Sequence, residues 1–224
     1  MNNKNLRLIT LLSLLPCIAH GVMLHTPFNN YAYSSAIKLI LFMLFPYVYF
    51  RMAQEGKFAD LFRIKEHTKS IKQSCVLGIM VFAFIFIGFA VIHPWLDSNM
   101  ITDAMSNVGI TGNNYIFAFL YYVMVNVALE ELFFRGFVFH TLYRMNQKKY
   151  AHGYSSLLFA VYHIAVIKDG IATVLIVISV IGLVGVGLLF NEITRRCENV
   201  VGSIVVHASA SLAISLIGLF YLYK

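Results

Sequence analysis

Apolar residues in this chain gather in long runs separated by short polar stretches. Seven runs have the length, about 17–25 residues, that crosses a hydrocarbon core. They run approximately Leu6–Leu24, Ser35–Phe50, Val76–Leu96, Tyr115–Tyr143, Ala151–Ile167, Ile171–Phe190 and Val200–Tyr223. The fourth is long, the fifth is short, and there is room for an eighth short or re-entrant helix. The pattern predicts an all-α fold, a polytopic transmembrane helical bundle forming a single membrane domain over residues 1–224. The first run follows Lys4 and Arg7, as the core of a signal peptide does. The stretch after it, "PCIAHGVML", lacks a small-x-small cleavage pattern, and Pro16 before Cys17 argues against a lipoprotein site. A retained first helix is expected.

Composition agrees with the pattern. Of 224 residues, 59% are hydrophobic and 12% charged, against roughly 25% charged in a soluble domain. The net charge of +7 raises the question of a nucleic-acid partner, but its distribution argues against one. Lys4 and Arg7 precede the first run. Arg51, Lys57, Arg63, Lys65, Lys69 and Lys72 lie between the second and third, Arg144, Lys148 and Lys149 after the fourth, Arg195 and Arg196 after the sixth. The alternate connections are nearly bare of Lys and Arg. This alternation is the positive-inside pattern; it places the N-terminus in the cytoplasm and, with seven spans, the C-terminus outside. The basic surplus is topological, with some attraction to anionic lipid.

The one sizeable polar piece, Arg51–Ser74, carries Phe58, Leu61, Phe62 and Ile64 among basic residues. It reads equally as a helix on the cytoplasmic membrane surface or as a basic loop. No internal repeat emerges, which weakens a transporter built from two related halves. Cys17, Cys75 and Cys197 are odd in number and scattered, so packing is expected of them rather than a disulfide framework or a metal cluster.

Ionisable groups at membrane depth cost about 2.5–3.5 kcal/mol each on insertion scales and mark functional sites by default. The fourth run offers Asn126, Glu130, Glu131 and Arg135, the fifth His163, the seventh His207 and Ser211. Glu131 and Arg135 are four apart, hence able to pair on one face. Glu130 is turned about 100° away and has no local cation, so its partners must come from other helices; Asn126 shares its face. Counted from the basic ends at 1.5 Å per residue, Glu130, His163 and His207 lie roughly 21, 18 and 16 Å deep. Three helices thus bring a carboxylate and two imidazoles to one level. Ser211 is one turn beyond His207. His20, His93, His140 and His152 lie nearer the span ends and are expected at the interfaces.

A carboxylate with two histidines suits water activation: the glutamate as general base, the imidazoles orienting water or stabilising an oxyanion. Two His and one Glu could instead bind zinc with an open position, leaving Glu131 or water to move protons. No HExxH and no GxSxG motif is present.

These residues carry a family resemblance. "EELFFR" (Glu130, Glu131, Arg135) resembles the EExxxR motif of the CPBP family, the CAAX-protease and bacteriocin-processing (Abi) intramembrane endopeptidases. "FAVYH" (Phe159 to His163) matches its FxxxH motif, and "HASAS" (His207 to Ser211) resembles its HxxxN motif with Ser211 in place of Asn. The motifs cover roughly the C-terminal half. The resemblance implies a bacterial, multi-pass plasma-membrane endopeptidase, with its site open to the cytoplasmic side and a peptide or membrane-associated protein as substrate. The roles it suggests are bacteriocin self-immunity, peptide maturation or CAAX-like processing. Glu130 would be the base; Glu131 and Arg135 would support and orient it; His163 and His207 would polarise water and hold the tetrahedral intermediate. Metal-dependent and metal-independent hydrolysis both remain open. Ser211 shortens the expected amide donor to a hydroxyl. Two other classes stay in view: a non-catalytic immunity or regulatory scaffold of the same fold, and a proton-coupled transporter.

Overall fold

The computed structural model describes residues 3–26, 30–53, 68–95, 98–107, 109–164 and 173–222. Every regular element among them is helical. The helices are α1 (Asn3–Leu24), α2 (Tyr31–Ala53), α3 (Thr68–Ile92), α4 (Ser98–Asn107), α5 (Tyr115–Arg144), α6 (Lys148–Ile164), α7 (Thr173–Cys197) and α8 (Val201–Leu222). A short 3₁₀ turn, His93–Trp95, ends α3.

Among the described residues, six helices are long and apolar enough to cross a membrane: α1, α2, α3, α5, α7 and α8. This is the make-up of an integral membrane protein. The fifth expected span is α6, whose 17 residues leave it shorter than the others. The eighth helix, α4, is ten residues long, and its sequence SNMITDAMSN is too polar to span. α7 runs past the expected end at Phe190 to Cys197. Its last turns are polar but satisfied, because Glu192 receives Arg195 at 2.7 and 2.6 Å and Arg196 at 2.7 Å. Most of the Arg51–Ser74 segment, residues 54–67, lies outside the described residues.

Two glycines show how close the helices come. A Cβ on Gly187 of α7 would lie 2.9 Å from the Ser156 backbone of α6, and one on Gly78 of α3 would lie 2.6 Å from Ser209 Oγ of α8. Between lipid-embedded helices such small residues permit the dispersion contacts that hold a bundle together. Polar side chains add to this. Asn191 of α7, fully buried, donates to the His152 carbonyl at 3.2 Å and to Ser156 Oγ at 3.0 Å. Ser155 of α6 donates to the Phe134 carbonyl of α5 at 2.9 Å. Cys17 and Cys197 are buried as expected, whereas Cys75 is exposed on the outside of the bundle.

The bundle has two unlike ends. Arg144, Lys148 and Arg195 line one cleft, and Ser70 near the start of α3 donates to the Arg196 carbonyl, so the basic ends of α3, α5, α6 and α7 meet. At the other end Tyr31 of α2 donates to the Ala118 carbonyl of α5 at 3.2 Å, and Tyr115 of α5 donates to the Ser215 carbonyl of α8. Between the basic end and the middle lies an aromatic core. Phe42, Tyr49, Phe133, Phe134 and Phe137 are each 0% exposed, and Phe42 stacks on Phe133 with ring centroids 4.1 Å apart.

Candidate active site

The charged stretch of α5 is held in an unusual helix. Val127–Glu131 is α-helical, but it lies between two π-helical stretches, Tyr121–Asn126 and Leu132–Phe139. Such wide turns concentrate at functional sites, because they re-aim side chains at the cost of regular hydrogen bonding. Glu130 and Glu131 thereby point to different partners.

Glu131 is fully buried. Its Oε1 accepts from Arg135 Nη1 at 3.0 Å, the i, i+4 pair expected from spacing. The same oxygen accepts from His207 Nδ1 of α8 at 2.9 Å. The Arg135 guanidinium, 0% exposed, leaves Nε and Nη2 without hydrogen bonds. It lies instead 4.2 Å from the Phe159 ring and 4.9 Å from the Phe190 ring, a cation–π arrangement that gains strength away from water.

Glu130 finds a cation that sequence reasoning missed. Lys38 of α2, itself buried, donates to Glu130 Oε1 and, at 2.7 Å, to Asn126 Oδ1. Asn126 completes the ring by donating to Glu130 Oε1 at 3.1 Å. The Lys38 ammonium also lies 5.0 Å from the Tyr162 ring. The signal was a lone lysine in the apolar run "SSAIKLILFMLF". Lys38 stands only seven residues into α2, and a depth count made at Cα misses how far its four-carbon stem reaches.

The second oxygen, Glu130 Oε2, is buried with no hydrogen-bond partner. It faces His163 Nε2 at 3.5 Å and His207 Nε2 at 3.8 Å. The tautomers follow from the other ring nitrogens. His163 Nδ1 lies 2.8 Å from the Phe159 carbonyl, which can only accept, so Nδ1 carries hydrogen. His207 Nδ1 lies against the Glu131 carboxylate and donates in the same way. In their neutral forms both imidazoles therefore turn a bare Nε2 towards a bare carboxylate oxygen. Three acceptors facing one another require a donor between them, and a water molecule has two O–H groups to give.

Ser211 is buried one turn beyond His207 and lies close to the Tyr122 phenol of α5. The expected residues Glu130, Glu131, Arg135, His163 and His207 thus come together, while Ser211 lies by the Tyr122 phenol. His20, expected at an interface, is 3% exposed. Its Nε2 donates to the Ser34 carbonyl at 3.2 Å, so its Nδ1 accepts from Tyr162 Oη at 3.1 Å.

A cavity of about 250 Å³ reaches this cluster. Lys38, Asn126, Glu130, Tyr162 and His163 form its inner part. Its remaining lining comes from His20 and Leu24 of α1, Tyr31, Ser34 and Ser35 of α2, Ile110, and Tyr121 and Tyr122 of α5. All but Ile110 belong to the helix ends remote from the basic connections.

A zinc ion would draw on the same residues. Two bare imidazole nitrogens and a carboxylate have suitable donor chemistry, and each imidazole has a fixed outer partner. Among the described residues, however, no three His, Cys, Asp or Glu side chains are gathered so as to hold a metal ion. Lys38 also places a positive charge on the carboxylate that would have to bind the cation. The residues as placed do not fit zinc.

Nothing among curated proteins and nothing among solved structures matches the chain. One family does. The match, to type II CAAX prenyl endopeptidase Rce1-like, spans residues 112–213. It takes in Glu130, Glu131, Arg135, His163, His207 and Ser211 and leaves out Lys38 and His20. With helices fit to cross a membrane and this carboxylate–imidazole cluster at their centre, residues 112–213 are a domain of the Rce1-like type II CAAX prenyl endopeptidase family.

Proposed function

We propose that the chain is an intramembrane endopeptidase that hydrolyses a peptide bond with water activated by Glu130. The observation that carries this reading is the orphaned Glu130 Oε2 facing the bare Nε2 atoms of His163 and His207. A water there donates one hydrogen to Glu130 and the other to an imidazole, leaving its lone pairs free to attack. Glu130 takes the proton as the water oxygen bonds to the carbonyl carbon, then delivers it to the amide nitrogen as the C–N bond breaks. Glu131, held by Arg135, fixes the His207 tautomer and hence the direction of its Nε2. The Tyr122 and Ser211 hydroxyls lie close to one another. They are the neutral donors available to an oxyanion where the family motif has an amide. The substrate class is a protein or peptide, as for the family.

A non-catalytic scaffold is the second reading, and Lys38 favours it, because a carboxylate neutralised by an ammonium is a weaker base. Comparative peptidomics of cells carrying wild-type protein, Glu130→Ala or His163→Ala separates the two. The endopeptidase reading expects a set of peptides lost in both variants while each variant still inserts and accumulates. Identical peptide sets from all three would leave the scaffold. Cleavage that survives a chelator is expected, since the proposed route uses no metal.

A further inference from the structure

The two sides of the Glu130 cluster differ. Towards the basic end, Phe133, Phe134, Phe137 and Phe42 close it with rings that are all 0% exposed. Towards the other end there is space: the cavity of about 250 Å³ whose walls include Ser34, Ser35 and Tyr121. His163, the most open member of the cluster with a side chain 25% exposed, also lines it. The basic cleft formed by Arg144, Lys148 and Arg195 includes none of the cluster residues. The positive-inside pattern assigns the sealed end to the cytoplasm.

We propose that the Glu130 cluster is served from the extracytoplasmic face, and that its substrate is an uncharged, extended peptide segment entering between α1, α2 and α5. The substrate part rests on the endopeptidase reading; the route does not. The volume is below the roughly 300–1,000 Å³ of pockets that take a compact ligand, which suits a single strand rather than a folded element. Hydroxyls and an imidazole along the walls can bond backbone amides. Among the described residues, the ammonium on the path is that of Lys38, already matched by Glu130, and the two remaining charges of the cluster, Glu131 and Arg135, match each other. No unpaired charge in the cluster recruits a charged side chain.

The test is thiol accessibility in the full chain with Cys17, Cys75 and Cys197 replaced by Ala. Single cysteines are introduced at Ser35 in the cavity, at exposed Asn113 on the same side, and at exposed Lys149 on the basic side. A charged, membrane-impermeant methanethiosulfonate is applied to right-side-out and inside-out vesicles. The proposal expects Ser35→Cys and Asn113→Cys to react only in right-side-out vesicles, and Lys149→Cys only in inside-out ones. Reaction of Asn113→Cys but not Ser35→Cys would show a closed cavity and overturn the route; the reverse sidedness for all three would overturn the assigned face. Modification of Ser35→Cys should also abolish the Glu130-dependent peptides, and modification of Lys149→Cys should not. Peptides that persist after Ser35→Cys is modified overturn entry by this path. If no Glu130-dependent peptide exists at all, the endopeptidase reading fails while the sidedness result still decides the route.

Discussion

The residue that most changes the picture of this site is Lys38. It lies outside the family-matched residues 112–213, yet it holds one oxygen of the proposed base and leaves the other directed at two imidazoles. Removing one partner of a buried ion pair strands the other charge, at a cost of about 3–5 kcal/mol. Lys38→Met is therefore expected to lower thermal stability in detergent by that order, and Lys38→Arg to recover most of it. Lys38→Met paired with Glu130→Gln should be more stable than Lys38→Met alone, because no charge is left unmatched. A double-mutant cycle on melting measures this coupling, and additivity of the two changes would contradict it. The sequence made the Glu131–Arg135 pair legible through its spacing. It also left Glu130 needing a partner from another helix. It did not reveal which helix, because that depends on how α2 lies against α5, a tertiary fact with no periodicity. Ser211 shows the same limit: its place in the motif was readable, but its closeness to Tyr122 depends on the approach of α5 to α8.

At the scale of elements, hydrophobic run length recovered each long helix to within about eight residues at its ends. The largest errors arose where charge continues a helix past the hydrocarbon. α3 begins at Thr68, not Val76, and α7 continues to Cys197 through the Glu192–Arg195–Arg196 cluster. The π-helical stretches of α5 were invisible in the sequence, since the pattern of apolar residues there fits an ordinary span. The position of His163 depends on α6 staying against α7. Gly187 lies at this contact with a Cβ-sized space already filled by Ser156, whereas Gly185 faces open space. Gly187→Leu is expected to separate α6 from α7, lowering both the melting temperature and the yield of folded protein. Gly185→Ala should match the wild type, as size-exclusion and melting profiles of the two purified variants would show. Equal behaviour of the two variants would remove the role given to this contact.

The whole molecule combines a charge asymmetry that was plain in the sequence with a cavity asymmetry that was not. Lys and Arg counts separate the two ends of the bundle, but only the packed structure shows aromatic rings filling one side of the Glu130 cluster and space on the other. Family membership and most of the charged cluster could be read from the C-terminal half. The N-terminal half looked merely hydrophobic, yet α1 and α2 supply His20, Ser34 and Lys38, which complete the cavity. The central claim is that water held at Glu130 Oε2 enters the new peptide end. Membranes bearing the wild-type chain, incubated in ¹⁸O-enriched water and analysed by mass spectrometry, should yield peptides with one ¹⁸O in the new C-terminal carboxyl. Membranes bearing Glu130→Gln at the same folded level should lack those peptides. Labelled peptides appearing equally from both membranes would contradict the account.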